Sequence, residues 1–417
     1  MKPHSKTANI ALSAFALMSA SSFTAMAGPE VEVPAPAAEK GGSILDSIHL
    51  FGTARLRFEY ADMDNLDEAY VGSLRARYGI KTDAIAGFKF LAEGENTVIL
   101  TNGGKYTPFP GFINNGRSVI ADPDNFELNR LQLSYNIEAI DTNITVGRQY
   151  ITFGDQRFIG AIGWRQNDQT FDAVVLENKS IENLTFTYAY VDQVNRIFGD
   201  QTPAQGLDFW DGESHLIHTE YTGIEDHTLR AFAYLLKFDN SAPNSTDTYG
   251  VELEGKNGSI NYLFTVAMQT DADNNTLDYQ EYYFRGKVGQ NHDCCNYGVG
   301  FEVMTSDGKG GQFLFPVGTN HAFNGFADAY LGTNPRGLGL VDLYGWIGTK
   351  ALGMSHTLSV HNYSEESGGV DLGWEVDYVA AKPIGENAKF ILKAAHLMGD
   401  GPQIDITRAS AEINYDF

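Results

Sequence analysis

Cysteine is scarce in this sequence, and the two cysteines present offer no evident disulfide framework. Cys294 and Cys295 are adjacent among 417 residues, and neighbouring cysteines do not easily reach normal disulfide geometry. The spaced cysteine pairs of a disulfide scaffold or a structural zinc site are absent. Metal binding by the pair together with His292 is an alternative, but two thiols and one imidazole on a short turn favour no metal site.

Long apolar runs and basic charge are also scarce. After residue 27 no uninterrupted apolar run of about 18 residues occurs, which excludes a transmembrane helix there. The chain has 29 Lys and Arg against 53 Asp and Glu, and this acidic balance argues against nucleic-acid binding. Neither G-x-S-x-G nor H-E-x-x-H occurs, and the ten histidines are dispersed. We therefore predict no enzyme and no catalytic residue.

The N-terminus has the pattern of a secretory signal peptide. A short basic region precedes an apolar stretch at 10–18, and Ala25-Met26-Ala27 supplies an A-x-A cleavage site. We predict that residues 1–27 are removed on export, with a membrane-anchoring helix as the alternative. Residues 28–47, rich in Pro, Ala and Gly, are predicted to be a flexible periplasmic leader. Loss of the two lysines of the signal peptide changes the formal net charge from −24 to −26.

From residue 48 onward one pattern repeats to the end of the chain. Segments of about 9–13 residues alternate between apolar and polar side chains, which is the signature of β-strands. In the last segment one face carries Ala409, Ala411, Ile413, Tyr415 and Phe417, and the other carries Arg408, Ser410, Glu412, Asn414 and Asp416. An amphipathic edge strand of a soluble protein is the alternative, but such a strand seldom ends exposed. The terminal aromatic residue resembles the C-terminal signal of bacterial outer-membrane proteins, so Phe417 is predicted to engage the barrel-assembly machinery.

The spacing predicts eighteen strands, an even number as single-chain bacterial barrels require. We place them at 48–60, 70–82, 85–96, 126–138, 142–150, 171–178, 184–195, 214–222, 227–238, 247–256, 258–270, 279–289, 295–305, 338–348, 354–363, 372–381, 388–398 and 405–417. Connections after even-numbered strands are short, whereas those after odd-numbered strands include the long ones, 97–125, 151–170, 196–213 and 306–337.

The strand segments and this alternation of long and short connections together predict an all-β fold. We expect a monomeric, transmembrane antiparallel β-barrel over residues 48–417, with sixteen strands as the alternative count. Closure is needed because hydrocarbon offers no hydrogen-bond partner to an open sheet edge. A barrel of this width is too wide for side chains alone to fill, so its lumen should hold water or inward-folded loops.

The polar faces of the predicted strands carry many cations. Those assigned to the lumen by their facing alone are Arg55, Arg57, Arg75, Arg77, Lys89, Arg130, Arg285 and Lys287. Around a water-filled pore, a ring of guanidinium groups would attract anions. Alternatively, these cations pair with lumenal acids and brace the wall; the candidate acids are Glu59, Glu93, Glu138 and Glu281. Charge arithmetic alone leaves both interpretations in place.

The densest segment is 147–172, GRQYITFGDQRFIGAIGWRQNDQTFD, which joins the fifth and sixth strands. It is predicted to fold inward and constrict the pore; an external loop held by internal salt bridges is the alternative. The segment resembles the core motif of the alginate export porin family. A second stretch, His321-Ala-Phe-Asn-Gly-Phe-Ala-Asp328, resembles the later H-x-F-N-G-[WF]-A-D segment of that family. The similarity runs over about 48–417.

The resemblance implies a monomeric, eighteen-stranded outer-membrane barrel whose arginine-rich constriction conducts a polyuronate. On that basis the pore candidates are Arg148, Arg157 and Arg165, with Asp155, Asp168 and Asp172 as their acidic partners. The expected function is passive passage of an anionic oligo- or polysaccharide such as alginate, or of another small anionic solute. A general or cation-preferring diffusion porin is the alternative, and a plugged barrel enzyme or adhesin is the third hypothesis. Outer-membrane lipid and lipopolysaccharide are the expected surroundings.

The net negative charge departs from what an anion channel should have, unless the acids lie on external loops. Loop acids are Asp62, Asp64, Asp67, Glu68, Asp271, Asp273, Glu365 and Glu366. We predict no cofactor. Calcium binding by Asp271-x-Asp273-Asn274 is an alternative, and solvated loop acids are the simpler interpretation.

Overall fold

One antiparallel sheet accounts for nearly all of the regular structure. The computed structural model describes residues 44–101, 105–110, 115–199, 202, 208–272 and 274–417. The predicted signal peptide and most of the predicted leader lie outside these residues. Each strand pairs with its sequence neighbours, and the first strand pairs with the last, so the sheet closes into a barrel.

Eighteen strands form the wall, as predicted. They are β1 Ile48–Met63, β2 Ala69–Thr82, β3 Phe88–Ile99, β4 Asn125–Ile137, β5 Thr142–Gln149, β6 Thr170–Ile181, β7 Leu184–Asn195, β8 Phe209–Ile224, β9 His227–Leu236, β10 Thr246–Asn257, β11 Ile260–Asp271, β12 Gln280–Asn291, β13 Cys295–Met304, β14 Leu340–Ala351, β15 Met354–Ser364, β16 Asp371–Ile384, β17 Ala388–Gly399 and β18 Ile406–Asp416. Short 3-10 helices lie at Ile44–Ser47, Glu138–Ile140, Ala242–Asn244 and Asn320–Ala322. The described residues include no helix with the length and apolar character needed to cross a membrane.

The two faces of the wall differ as the alternation predicts. In β4, Leu131, Leu133 and Tyr135 point outward and are 42%, 47% and 38% exposed. In β2, Arg75 and Arg77 point into the barrel and are 4% and 9% exposed. An apolar exterior around a polar interior is what a spanning barrel needs, because its outer side chains meet hydrocarbon.

The last strand completes the closure. Glu412 points inward and is buried, whereas Ile413, Tyr415 and Phe417 point outward and are exposed. The backbone groups of Phe417 and Gly52 exchange two hydrogen bonds of 2.9 Å, which extend the pairing of β18 with β1 to the chain terminus. The faces predicted for the C-terminal segment are confirmed.

The longest external loops turn into the barrel. We name the external connections L1 to L9 in chain order; L2 is 100–124, L3 is 150–169, L4 is 196–208 and L7 is 305–339. Ile159 of L3 and Phe313, Phe315 and Val317 of L7 pack against inward side chains of the wall, Tyr283 among them. The external half of the lumen therefore holds a hydrophobic core made by two loops and the wall.

The assignment of faces can be tested on one strand. Leu133→Arg places a charge on the outer face of β4 and should lower the free energy of unfolding by about 2–4 kcal/mol. Gln132→Arg, on the inner face of the same strand, should have a much smaller effect. Reversible urea unfolding in liposomes, followed by tryptophan fluorescence, measures both. Equal losses would contradict the assignment.

Candidate functional site: the arginine-rich lumen

Loop L3 is held inside the barrel by loop L7. The Gly160 N–H donates to the Val317 carbonyl at 3.0 Å, and the Thr319 N–H donates to the Gln156 carbonyl at 2.9 Å. A Cβ on Gly160 would lie 2.2 Å from the Thr319 hydroxyl oxygen, so only glycine permits this approach. The two loops thus form one packed unit, and the loop part of 147–172 folds inward as predicted.

Arg157 of L3 is buried where the two loops meet β13. Its Nη2 donates to Glu302 Oε2 at 2.7 Å and to Asn324 Oδ1 at 2.7 Å. The guanidinium carbon lies 3.8 Å from the ring centroid of Phe315 and 4.7 Å from that of Phe323. Because a buried charge without a partner is costly, this arginine fastens L3 to the wall.

Arg165 makes the second set of ion pairs that holds L3 in place. Its Nη1 donates to Glu59 Oε1 at 3.1 Å, its Nη2 donates to Asp328 Oδ2 at 3.0 Å, and Asp122 Oδ2 lies 3.8 Å away. Burial alone would lower the pKa of the Arg165 guanidinium, but the three carboxylates outweigh burial and raise that pKa above its ordinary value. The contacts tie L3 to L2, to L7 and to β1.

The indole of Trp164 lies at the centre of a cationic cluster. It stacks on the imidazole of His321 with ring centroids 3.7 Å apart. The Arg57 guanidinium carbon lies 4.2 Å from the indole centroid, and the Lys393 ammonium lies 3.9 Å from it. An aromatic face attracts cations, so Trp164 offsets part of the repulsion between these groups.

His321 is the neutral member of this cluster. Its Nδ1 lies 2.6 Å from Asp328 Oδ1, and its Nε2 lies 3.1 Å from Lys393 Nζ. Burial is the main reason that the pKa of the imidazole is lowered to about 3; Asp328 opposes this shift in part, and Lys393 and Arg165 add to it. The neutral ring therefore donates from Nδ1 to the carboxylate and accepts at Nε2 from the ammonium.

Three arginines of the wall contact or lie near L3, and they outnumber the carboxylates that pair with them. Arg55 and Arg75 are direct cross-strand partners. Arg77 is paired with Glu95 and lies 2.6 Å from Asp168, whereas Arg75 is 3.9 Å from Asp168. Among the described residues Arg55 makes no ion pair and donates to three backbone carbonyls of L3 at 2.9–3.2 Å.

Two further predicted arginines form close ion pairs. Arg130 donates from Nε and Nη2 to the two oxygens of Glu93, each at 2.9 Å. Arg285 Nη1 lies 2.7 Å from Asp155 of L3. Burial alone would raise the pKa of the Asp155 carboxyl, but Arg285 and Lys287 hold it below its ordinary value. Arg285 therefore anchors the first half of L3.

The structure corrects the placement of Arg148 and Asp172. Arg148 is the cross-strand partner of Leu131 on one side and of Asp172 on the other, and Leu131 points outward. Their ion pair, with Nε to Oδ1 at 2.7 Å, therefore lies on the outer face near the external ends of β5 and β6. Alternation along β5 places residue 148 with outward Val146, and so neither residue faces the lumen.

The predicted pairing inside L3 is also wrong for the other residues. Arg157 and Arg165 pair with acids of the wall, L2 and L7, whereas Asp155 and Asp168 pair with arginines of the wall. These ion pairs between L3 and its surroundings exclude the alternative of an external loop held by internal salt bridges. They arise because L3 packs between walls that already carry charges of the opposite sign.

Only some of the predicted acids pair with lumenal arginines and so brace the wall. Glu59 and Glu93 pair with arginines, as the bracing interpretation expects. Glu281 is instead hydrogen-bonded to the hydroxyl of Thr305, and Glu138 lies in a short helix outside the lumen. Most arginines of the lumen therefore serve to fix the loops, and the unbalanced group at Arg55 and Arg75 is the exception.

Sequence reasoning missed several charged residues of the lumen. Lys393 lies on the inward face of β17, where the alternation could have assigned it, and Arg408 was placed on the polar face of the last segment but not among the pore residues. Asp122 of L2 and Arg196 of L4 have no comparable signal, because loops lack a period. Their positions follow from how the loops pack in three dimensions.

No metal site emerges from the described part of the chain. It contains no group of three or more His, Cys, Asp or Glu side chains arranged to hold a metal ion. Cys294 and Cys295 are free thiols with their sulfurs 2.9 Å apart. Asp273, part of the calcium alternative, lies outside the described residues.

Solved structures with the same fold define the class of protein. OpdO of Pseudomonas aeruginosa has a TM-score of 0.68 at 11% identity, over 89% of this chain and 97% of that chain. The outer membrane protein opdK of the same organism has 0.65 at 12%, over 88% and 99%. OccAB3 of Acinetobacter baumannii has 0.68 at 14%, over 90% and 100%. The fold is that of the outer-membrane porins.

The sequence comparison names the family. The profile described as alginate export matches residues 52–303, more than half of the chain, and the chain belongs to this family. A comparison with curated protein sequences finds no match. Family and fold together make the protein a channel of the bacterial outer membrane, and the predicted family resemblance is confirmed. The match contains the first motif, at 147–172, whereas the second motif, at 321–328, lies beyond the matched residues.

Removal of the Arg157 charge should loosen the loops and leave the barrel intact. Arg157→Gln leaves Glu302 buried without its closest partner, a change that costs about 3–5 kcal/mol in comparable sites. We expect faster protease cleavage within L7 and unchanged heat-modifiable migration of the barrel. Lys309→Gln, at an exposed L7 lysine that forms no ion pair among the described residues, is the control and should change neither when chymotrypsin is the protease. Equal cleavage rates for both variants would refute the anchoring role.

The loops should weaken as the pH falls. Because burial lowers the pKa of His321 from 6.5 to about 3, its contribution to stability is complete above about pH 6.5 and is lost toward pH 3. We expect a lower loop-melting temperature at about pH 4.5 than at about pH 7.5, followed by tryptophan fluorescence. In His321→Gln the difference should shrink; an unchanged difference would exclude His321 as its source.

Proposed function

We propose that the barrel is a passive, anion-preferring channel for small acidic solutes, sugar acids included, and that it has no catalytic activity. The observation that supports this proposal most strongly is the juxtaposition of Arg55 and Arg75. They face each other directly across β1 and β2, and Arg77 lies next to them. These three guanidinium groups share two carboxylates, Glu95 and Asp168.

Like charges directly opposite on paired strands repel, so this arrangement favours an additional anion. Within the described residues, Nε and Nη1 of Arg75 are buried without a hydrogen-bond acceptor. Arg55 is only partly buried and therefore remains in reach of a solute. A carboxylate that passes Arg55 would supply the missing negative charge through its Coulomb attraction to this group.

The packing of L3 and L7 bears on solute size. Both loops contribute to the hydrophobic core inside the barrel, and Arg157 and Arg165 fix L3 through buried ion pairs. A polymer such as alginate would require these loops to move aside. We therefore propose small acids as the principal solutes, and alginate as a solute only if the loops open.

A cation-preferring channel is the second candidate. Asp342, Glu375 and Asp377 are buried on the inner faces of β14 and β16, with His361 as a near neighbour. Backbone N–H groups of Phe326 and Ala327 in L7 cover two of these acids. Because L7 shields this acidic wall, we favour the arginine wall as the source of selectivity.

The surroundings of the channel follow from its surface. One chain closes the barrel by itself, which supports a monomer as the conducting unit. We propose that the apolar outer face contacts lipid and lipopolysaccharide, and that the strand ending at Phe417 is recognised by the barrel-assembly machinery.

The selectivity can be measured in planar bilayers under a salt gradient. The wild-type channel should show a reversal potential of anion preference. The double variant Arg55→Gln, Arg75→Gln should reduce the anion-over-cation permeability ratio by about tenfold, because it removes the unbalanced positive charge. Cation preference of the wild-type channel would overturn the proposal.

Arg148→Gln is the matched control for this measurement. It removes one arginine charge from the outer face of the wall, where the field of that charge is separated from the solute path. An unchanged reversal potential is expected. A shift as large as that of the double variant would show that the loss of any arginine has the effect.

A further inference from the structure

A cavity of about 480 Å³ lies among the external loops, above the anchored part of L3. Its described lining residues come mainly from L2, L3, L4, L7 and the wall, and more than half of them are apolar. Phe198, Trp210, Phe315 and Leu331 are among them. This volume lies within the range of small-molecule sites, which are concave, mostly apolar and equipped with few polar groups.

The cavity holds three arginines, of which two are balanced. Arg165 and Arg408 both have Glu59 and Asp328 within 4 Å. Arg196 differs, since among the described residues it forms no ion pair. Its Nη1 donates to Gln169 Oε1 at 2.6 Å and to the Pro316 carbonyl at 3.1 Å, both neutral acceptors.

The guanidinium of Arg196 is held in place and still available to a ligand. Its carbon lies 3.9 Å from the ring centroid of Trp210, so the indole supports one face of the group. Burial lowers the pKa of Arg196 to about 10, which leaves it cationic at neutral pH. Nε and Nη2 have no acceptor among the described residues. The group is therefore a fixed positive charge at a mostly apolar cavity, and no carboxylate of the described residues compensates it.

We propose that this cavity is an entry site for monocarboxylates with an apolar body of about the size of a benzene ring. The carboxylate pairs with Nε and Nη2 of Arg196, and the ring occupies the apolar space beside Phe198, Phe315 and Leu331. One uncompensated cation matches one carboxylate. A polyuronate fits poorly, because each of its sugar units brings several hydroxyl groups into a mostly apolar space.

This inference rests on the proposed function, and it names the solute class at the external end of the same channel. The carboxylate loses water on entry, and the fixed guanidinium replaces that hydration with charge-assisted hydrogen bonds. Neither part of the ligand suffices alone. Acetate lacks the apolar surface, and benzyl alcohol lacks the charge.

Isothermal titration calorimetry on the detergent-purified full-length barrel provides the test. Benzoate should bind, and acetate and benzyl alcohol should each bind at least tenfold more weakly. Arg196→Gln should weaken benzoate binding at least tenfold. Absence of benzoate binding, equal affinity for acetate, or full affinity in Arg196→Gln would each overturn the proposal.

A second variant tests the site independently, in case Arg196→Gln disturbs the folding of L4. Leu331 is 49% exposed at the cavity, so Leu331→Glu should fold and should repel benzoate. Lys309→Gln, which removes an exposed cation of the same loop outside the cavity, is the control and should bind benzoate like the wild type. Full benzoate affinity in Leu331→Glu would contradict the proposed location.

The proposal of an entry site and the proposal of anion selectivity can be refuted independently. Selectivity is assigned to Arg55 and Arg75 and is read from the reversal potential, whereas the entry site is read from benzoate binding. Loss of binding in Arg196→Gln with a wild-type reversal potential supports both assignments. Anion selectivity without benzoate binding contradicts only the entry site, and benzoate binding without anion selectivity contradicts only the proposed function.

Discussion

The structure depends first on the need of every backbone N–H and C=O group for a partner where no water is present. The pairing of β1 with β18 meets this need by removing both sheet edges. A closed wall of eighteen strands then leaves a lumen too wide for side chains to fill. The long loops L3 and L7 enter this space, and the interior chemistry of the protein is largely a consequence of how they are held there.

Charge pairing rather than apolar packing alone determines where the loops rest. Arg157 and Arg165 of L3 reach acids on β13, β1 and L7, while Asp155 and Asp168 of L3 reach arginines on β12 and β2. Buried ion pairs are weak sources of stability but strong determinants of position, since a misplaced charge is left without its partner. In the described part of the lumen Arg55 and Arg196 form no ion pair, and these are the arginines that we propose a solute meets.

The wall was predictable to a large extent, and the site only in part. Period-two alternation located all eighteen strands, since the lipid and the lumen impose opposite polarity on successive residues. The same alternation placed Arg75 and Arg285 inward correctly. Arg148 was assigned by its motif and not by its strand face, and it lies on the outer side. Partners of the L3 charges were misassigned because neighbours in sequence are not neighbours across a lumen.

The amino-acid sequence by itself determined the export signal pattern, the strand count, the two faces of the wall and the membership in a family of channels. It could do so because each of these features is a local or periodic pattern. Only the tertiary structure decided which charges balance one another, as with Arg165 and Glu59, and which do not, as with Arg196. Those relations depend on loops that fold back across the barrel, and the distances they create have no counterpart in the order of residues along the chain.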